Sequence, residues 1–349
     1  MVLSIHFQKG QAMDIELLTA LRGRKQNIWK ALLSQTGLEP ETPAEQTVLL
    51  WDGDTLAATG SRQGNLLKYL AVNPEYQGEG LLASVLTQLR QEAFRQGHRH
   101  LFLYTKPENE ALFRSLFFYP IAKTDKVLLM EDKKDGIQAF LSSLPEAPPE
   151  GIIGAAVMNC DPFTLGHQYL IETASKECDR LFVFVLSEDG GRFSPADRME
   201  MVRQGTAHLP NVTVLPTGPY LISAATFPTY FLKDREQADI VQCQLDIEIF
   251  TRHFAPRLNI SRRYVGTEPL SPMTARYNTA LQASLPTHGI KLRQIPRLEQ
   301  AGIPVSASAV RRFLDNRDWE ALKPLVPETT YRYILQEVSL CKTDRQAIF

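Results

Sequence analysis

Residues 152–172 read IIGAAVMNCDPFTLGHQYLIE, and the fold can be worked out from this stretch. The short apolar run at 152–158 predicts a buried strand, and the pattern after it predicts a helix that begins near His167. A sharp turn between them brings the backbone amides of the helix start to the end of the strand. Those amides and the helix dipole attract phosphate, so the turn is a candidate phosphate site.

Several positions of this turn suit a nucleotide. Gly166 lets the backbone approach closely, and the Thr164 hydroxyl and a His167 ring N–H can donate to phosphate oxygens. Charge spreads over those oxygens during transfer, so donors placed there accelerate the reaction. We therefore predict that Asn159, Thr164, Gly166 and His167 bind ATP and that His167 is catalytic.

Strands and helices continue to alternate beyond this turn. Further strand candidates are LFVFVL at 181–186, VTVL at 212–215, RYVG at 263–266 and KLRQI at 291–295. One helix start is marked by Ser194 as the cap, Pro195 at the first helical position and the early acid Asp197. The alternation predicts an α/β domain with a Rossmann-like, doubly wound parallel sheet, in which ligands bind beyond the carboxyl ends of the strands.

A second helix start lies in GIPVSASAVRRFL, residues 302–314. Ser306 and Ser308 can cap this helix and donate hydroxyls, and Arg311 follows Ser308 by about one turn. Such a group suits the β and γ phosphates, which leave as pyrophosphate. We predict that all three residues bind ATP and that Arg311 is catalytic.

Each motif alone has an ordinary structural interpretation. A helix-capping turn with a surface histidine produces T-x-G-H, and a capped helix with an exposed arginine produces S-x-S-x-x-R. Their occurrence together, in this order and each at a predicted helix start, favours a nucleotide site.

The supporting candidates leave alternatives open. Arg198 contacts ATP or is a surface arginine of its helix, and Gly266 gives room near the adenine or is a plain turn glycine. Thr226, Thr229 and Tyr230 line an acyl or thiol pocket or belong to the core.

The totals limit the class of protein. The chain has 349 residues, 44% of them apolar and 22% charged, with a formal net charge of −1. These values predict a globular protein of two domains. The chain has no excess of basic residues, which argues against nonspecific binding of nucleic acid. No apolar run reaches membrane-spanning length, and the first residues do not resemble a signal peptide. The sequence has no C-x-x-C pair of the kind that binds zinc. We expect a cytoplasmic protein with reduced thiols, no resident metal and no membrane partner.

The composition changes in the stretch EDKKDGIQAFLSSLPEAPPEG, which ends at Gly151. We therefore predict a first domain at 1–131, a proline-rich linker at 132–150 and a second domain at 151–349. The first domain has a mixed α+β pattern, with Asp-Gly, Thr-Gly and Gln-Gly turns between short strands. Its Gln77, Gly78 and Gly80 resemble the acyl-CoA-binding turn of GNAT acetyltransferases, although Leu82 is bulky where that pattern has Gly or Ala.

The two motifs of the second half resemble the T/H-x-G-H and I-S-S/A-T/S-x-x-R/K signatures of the nucleotidylyltransferase superfamily. Within it, the strings MNCDPFTLGHQYLIE, SAATFPTYFLKD, DIEIF and VGTEP resemble the citrate lyase ligases, and the likeness spans essentially the whole chain. The resemblance implies that acetate attacks the α-phosphate of ATP to form acetyl-AMP and pyrophosphate. A thiol of the prosthetic group on the acyl-carrier subunit of citrate lyase would then take the acetyl group, with Mg²⁺ expected on ATP.

Three other functions are compatible with the same motifs. The chain could be a GNAT-type N-acetyltransferase with a regulatory nucleotide-binding domain, or an adenylyltransferase acting on a phosphorylated small molecule. It could also be a noncatalytic nucleotide sensor, but a sensor does not need donors to a transition state.

Overall fold

The structure is a computed structural model that describes residues 2–6, 12–40, 44–221, 235–268, 271–300 and 303–346. The chain divides into two units, Met1–Gly136 with Phe227–Val241 and Ile137–Thr226 with Gln242–Phe349. The domain boundaries drawn from the sequence stay a prediction.

The first unit is built on a mixed eight-stranded sheet. Its strands are β1 (Val2–His6), β2 (Ala12–Leu18), β3 (Gln46–Asp52), β4 (Thr55–Gln63), β5 (Leu66–Val72), β6 (Phe102–Thr105), β7 (Tyr119–Lys123) and β8 (Leu128–Glu131). Its helices are α1 (Gly23–Gln35), α2 (Leu81–Arg95) and α3 (Glu110–Ser115). The strand order is β1-β2-β3-β4-β5-β6-β8-β7, and β3 to β5 form an antiparallel meander. The predicted turns at Asp52-Gly53 and Gln63-Gly64 separate these strands, whereas Thr59-Gly60 lies inside β4, so the turn predicted there is wrong.

A cavity opens in the first unit where β5 and β6 separate. These strands pair in parallel only at Leu66–Phe102 and Leu67–Leu103, and β5 bulges at Tyr69, where φ is 54°. The resulting cavity, of about 720 Å³, reaches the glycine turn before α2. Leu82, the bulky residue that follows that turn, packs in the hydrophobic core with 8% of its surface exposed and also lines the cavity. The cavity beside it stays open.

The remaining elements belong to the second unit, except for Gly136 and residues 235–241, which belong to the first. The helices are α4 (Gly136–Ser142), α5 (Leu165–Ser175), α6 (Pro195–Thr206), α7 (Arg235–Ile249), α8 (Ala255–Arg257), α9 (Pro272–Ser284), α10 (Ala307–Asp315), α11 (Trp319–Leu322) and α12 (Glu328–Gln346). The strands are β9 (Ile153–Met158), β10 (Arg180–Val185), β11 (Val212–Pro216), β12 (Arg262–Gly266), β13 (Lys291–Ile295), β14 (Glu299–Gln300) and β15 (Ile303–Pro304). Among the helices of the described ranges, none combines the length and apolar character needed to cross a membrane.

Part of the segment predicted as a linker folds within the second unit. Helix α4 buries Ile137 and Leu141, and its Phe140 ring lies 5.3 Å from that of Tyr220. The Arg257 guanidinium donates to the Leu144 carbonyl (3.3 Å). These contacts hold the residues from α4 to Leu144 against the second unit.

Strands β9 to β13 form one parallel sheet in the order β11-β10-β9-β12-β13. All five predicted strands of the second half are present, and the predicted doubly wound parallel sheet is confirmed. The chain reverses its direction of winding between β9 and β12, which creates a crevice at their carboxyl ends. The T-x-G-H turn follows β9, so the fold places it at this crevice.

Candidate active site

The T-x-G-H turn fixes the orientation and tautomer of His167. Thr164 caps α5, and its backbone N–H donates to Nδ1 of His167 (3.1 Å) while its hydroxyl accepts from the His167 N–H (3.4 Å). The same hydroxyl lies 3.0 Å from Nδ1. Because Nδ1 accepts a backbone hydrogen bond, the ring proton of neutral His167 is on Nε2. The turn therefore leaves Nε2–H as the free donor of this ring.

The surroundings of His167 keep it neutral. Burial, with the nearby Arg297 cation as the smaller cause, lowers the pKa of His167 to about 4. The Phe163 ring stacks on the imidazole at 5.9 Å, and Phe163 is itself fully buried against Gly205, where a Cβ would collide with its ring. At neutral pH His167 is thus an uncharged hydrogen-bond donor held in one orientation.

The second motif forms the start of α10. Ser306 caps this helix by accepting from the Ala309 N–H (3.2 Å). One turn on, Nη2 of Arg311 donates to the Ser308 hydroxyl (3.1 Å). Nη1 of Arg311 donates to the Asp161 carbonyl and lies 3.5 Å from its carboxylate. Arg311 therefore links α10 directly to the turn after β9.

The two motifs also approach each other at Gly166. A Cβ built on Gly166 would lie 3.3 Å from the Val305 carbonyl oxygen, next to the cap of α10. This close approach explains why glycine stands at that position. The structure thus brings together two helix N-termini that are far apart in the sequence, since Ser306 lies 140 residues after Gly166.

A cavity of about 230 Å³ lies where these turns meet the ends of β9, β12 and β13. Four predicted residues line it: Thr164, Gly166, His167 and Gly266. The Gly266 carbonyl accepts from the amide of Asn278 (2.9 Å), another lining residue. Ser306, Ser308 and Arg311 lie in the first turns of α10, whose Ala307 lines the same cavity.

Arg198 has a different environment from the two we weighed. It is neither a surface residue nor open to a phosphate, since only 1% of its surface is exposed. Its guanidinium donates to the side chain and the carbonyl of Asn159 and to the carbonyl of Glu188. Arg198 thereby stabilises the turn after β9 and positions the exposed residue Asn159.

Sequence reasoning missed a charged pair in the same cavity. Nη1 of Arg297 donates to both carboxylate oxygens of Glu268, each at 2.7 Å, and both residues line the cavity. Glu268 follows β12 and Arg297 follows β13. The rule that ligands bind beyond the carboxyl ends of parallel strands could have identified both.

The remaining candidates fall elsewhere. Thr226, Thr229 and Tyr230 lie outside the described residues. Gln77, Gly78 and Gly80 line the large cavity of the first unit, and Gly78 and Gly80 have φ of 87° and 74°. Gly80 caps α2 in this left-handed conformation, which favours glycine, so the turn presents the amides of the helix start to that cavity.

Known proteins resemble both halves of the chain. The family model of the citrate lyase ligase C-terminal domain matches residues 153–334, and that of the acetyltransferase (GNAT) family matches residues 18–116. A citrate (pro-3S)-lyase ligase of Klebsiella pneumoniae is 41% identical over 310 residues, 87% of this chain and 91% of that protein. The protein of the same name from Escherichia coli K12 is 37% identical over 322 residues, 90% and 92% of the two chains. That of Haemophilus influenzae is 36% identical over 319 residues, 89% and 95% of the two chains.

Proposed function

The chain belongs to the citrate lyase ligase family, and from that premise we propose that it activates acetate with ATP and transfers the acetyl group to a thiol of citrate lyase. The family resemblance inferred from the sequence is thereby confirmed. One observation carries the chemical part of the proposal: His167 is held as a neutral Nε2–H donor where two helix N-termini converge.

The proposed reaction has two steps. In the first, an acetate oxygen forms a bond to the α-phosphorus of ATP while the bond to the β-phosphate oxygen breaks, which gives acetyl-AMP and pyrophosphate. In the second, a thiolate sulfur attacks the acetyl carbon and AMP leaves. Acetate is ionised at neutral pH, so the first step needs no protein base. Positioning and charge stabilisation are therefore what the protein must supply.

The site residues divide this task. The amides at the start of α5 and the Nε2–H of His167 stabilise the charge that develops on the α-phosphate. Ser306, Ser308 and Arg311 at the start of α10 bind the leaving pyrophosphate. We propose that ATP is used as its magnesium complex, in which the ion neutralises the same phosphates.

The acyl-carrier subunit is the proposed thiol donor. The cavity of the first unit is about 720 Å³, within the range of small-molecule sites, and residues at the N-terminus of α2 line part of it. A phosphopantetheine-type arm pairs an extended chain with a phosphate, which suits a cavity lined in part by the residues of a helix start. We propose that this cavity receives the arm, and that adenylation depends on the second unit alone.

The direct test is product analysis with purified protein. ATP, Mg²⁺, acetate and deacetylated carrier should yield AMP, pyrophosphate and acetylated carrier, and omission of acetate should abolish pyrophosphate release. The open cavity of the first unit also favours a second candidate, a GNAT-type acetyltransferase. Consumption of acetyl-CoA without AMP formation would establish that candidate and exclude the ligase.

A substitution in the intact protein tests the division of labour. Ala83 is exposed near the start of α2 and lines the large cavity, so Ala83→Glu would place a negative charge where the arm's phosphate is proposed to bind. We expect carrier acetylation to slow by at least about tenfold, because the added carboxylate repels the phosphate of the arm. Acetyl-AMP formation, trapped with hydroxylamine, should keep its wild-type rate.

The matched control for this substitution is Thr87→Glu. Thr87 is exposed one turn further along α2 and does not line the cavity. It should acetylate the carrier normally. Equal slowing by both substitutions, or none by Ala83→Glu, would remove the first unit from thiol recognition.

A further inference from the structure

A second cation lies at the junction of the two phosphate-binding turns. Arg297 lines the cavity together with Gly166 and His167. Its Nε donates to the Val305 carbonyl (3.4 Å), and this is the carbonyl oxygen that approaches Gly166. Its backbone N–H donates to the Thr267 hydroxyl (3.1 Å). The backbone bond ties Arg297 to the end of β12, and the Nε bond ties its guanidinium to the residue before the cap of α10.

Arg297 already binds one carboxylate and has donors left for another acceptor. Both carboxylate oxygens of Glu268 accept hydrogen bonds from Nη1, each at 2.7 Å. The Val305 carbonyl accepts from Nε. The two Nη2 hydrogens have no acceptor among the residues that the structure describes. The side chain is 24% exposed, so these donors remain accessible. A guanidinium is the group that best matches a carboxylate, because it donates two parallel hydrogen bonds or a forked one.

Acid activation creates a charge problem that this arginine can solve. The acid must bring its carboxylate to an α-phosphate, and the two anions repel each other. The donors at the starts of α5 and α10 are assigned to the phosphates. Arg297 caps neither helix, yet lies where both begin, so it can offset this repulsion from the side of the acid.

The cavity wall indicates which acids would fit. Its apolar lining includes Met158, Leu170 and Val265. Such a wall suits a short alkyl tail, whereas a second carboxylate placed against it would lose its hydration without a partner.

Building on the proposed function, we propose that Arg297 binds the carboxylate of a short monocarboxylic acid through Nη2 and holds it beside the α-phosphate, with Glu268 fixing the guanidinium. Arg297 then contributes to the KM for the acid rather than to ATP binding. It also contributes to the choice of monocarboxylates over dicarboxylates.

The experiment measures both KM values in the full-length protein by pyrophosphate release. We expect Arg297→Gln to raise the KM for acetate at least about tenfold, since one charge-assisted contact is lost, while the KM for ATP changes less than about threefold. Arg297→Lys keeps the positive charge but loses the forked donors of the guanidinium. Its KM for acetate should therefore lie between those of wild type and Arg297→Gln. Wild type should use acetate and propionate and reject malonate.

Arg293→Gln is the matched control. Arg293 lies on β13, the strand that Arg297 follows. It also pairs with a glutamate, Glu177, at 2.9 Å and 3.0 Å, but it does not line the cavity. This variant should behave like wild type.

Two results would overturn the assignment while wild type is active. One is a rise in the KM for ATP with the KM for acetate unchanged, which would make Arg297 a phosphate ligand. The other is a fall in kcat alone in both Arg297 variants, which would mean that Arg297 acts in the transition state and does not bind the acid in the ground state. A wild-type protein that releases no pyrophosphate with any carboxylate would instead contradict the proposed function itself.

Discussion

His167→Ala is expected to lower acetate-dependent pyrophosphate release by about 10²–10³, the usual cost of removing one preorganised donor to a developing negative charge. The reason is the geometry of the T-x-G-H turn. The Thr164 N–H occupies Nδ1, and the lowered pKa keeps the ring neutral, so Nε2–H is the one ring donor. Because the donor is already oriented, its contribution arises in the transition state, and kcat should fall more than the KM for ATP rises.

His167 also completes the cap of α5, and this second task must be separated from the first. Alanine removes the acceptor for the Thr164 N–H together with the Nε2–H donor. His167→Asn provides a side-chain oxygen at about the position of Nδ1, so it retains the cap acceptor and lacks only the distal donor. We expect His167→Asn to unfold at nearly the wild-type temperature and to be as slow as His167→Ala.

His208→Ala serves as the control for removing a histidine from this unit. His208 is half exposed and pairs with Glu172 at the surface (3.0 Å). Its loss should leave pyrophosphate release unchanged. Near-normal turnover by folded His167→Asn would show that Nε2–H does not contact the reacting phosphate.

The parts of the site that the sequence predicted are those built by local hydrogen bonds. Thr164 and His167 are three residues apart, and so are Ser306 and Ala309, whose backbone N–H completes the cap. A capping pattern is visible in a short stretch because the bonds that form it span a single turn. The five parallel strands were predictable for a similar reason, since each is a short apolar run between turn signals.

What the sequence did not reveal depends on contacts between distant segments. Glu268 and Arg297 are separated by β13 and α9, and only the order of strands in the sheet makes them neighbours. Arg198 follows a helix-capping signal typical of a surface helix, yet packing against the turn after β9 buries it completely. Helical spacing shows which side chains share a face but not what covers that face.

Leu82 gives the same lesson in the first unit. Comparison with the GNAT pattern shows only that Leu82 is bulkier than the Gly or Ala expected at its position. This side chain is buried in the core and lines the cavity as well, and the cavity opens where β5 and β6 separate. The direction of a side chain at a helix start depends on the φ and ψ angles of the turn before it, and Gly80 adopts a left-handed conformation there.

Arg311→Ala is expected to lower kcat/KM for ATP by about 10², because Arg311 is the proposed donor to the leaving pyrophosphate and such clamps act on charge that grows in the transition state. Part of the loss comes from geometry. Nη1 of Arg311 bonds the Asp161 carbonyl, so its removal also loosens the link between α10 and the turn after β9. Pyrophosphate release at varied ATP concentrations measures the combined effect.

The structure shows why this loss should not be one of folding. The Asp161 carboxylate, which is 5% exposed, also accepts from the backbone N–H groups of Arg192 (3.0 Å) and Phe193 (2.9 Å). It therefore loses its ion pair with Arg311 but keeps two backbone hydrogen-bond donors, so the buried carboxylate stays hydrogen-bonded. Arg311→Ala should consequently unfold within a few degrees of wild type.

Arg312→Ala is the matched control, since it removes the same charge from the next position of α10. Arg312 is exposed and its guanidinium lies over the Phe313 ring, 5.1 Å from the centroid, about 100° around the helix from Arg311. Its kcat/KM for ATP should stay within about twofold of wild type, because salt screens the charge of an exposed side chain that does not contact the phosphates. Arg311→Lys should recover only part of the lost activity, since an ammonium cannot bond the Asp161 carbonyl and a phosphate with the same fork. If Arg311→Ala and Arg312→Ala slowed ATP use equally, the effect would be one of net charge, and the S-x-S-x-x-R motif would not align Arg311 with the phosphates.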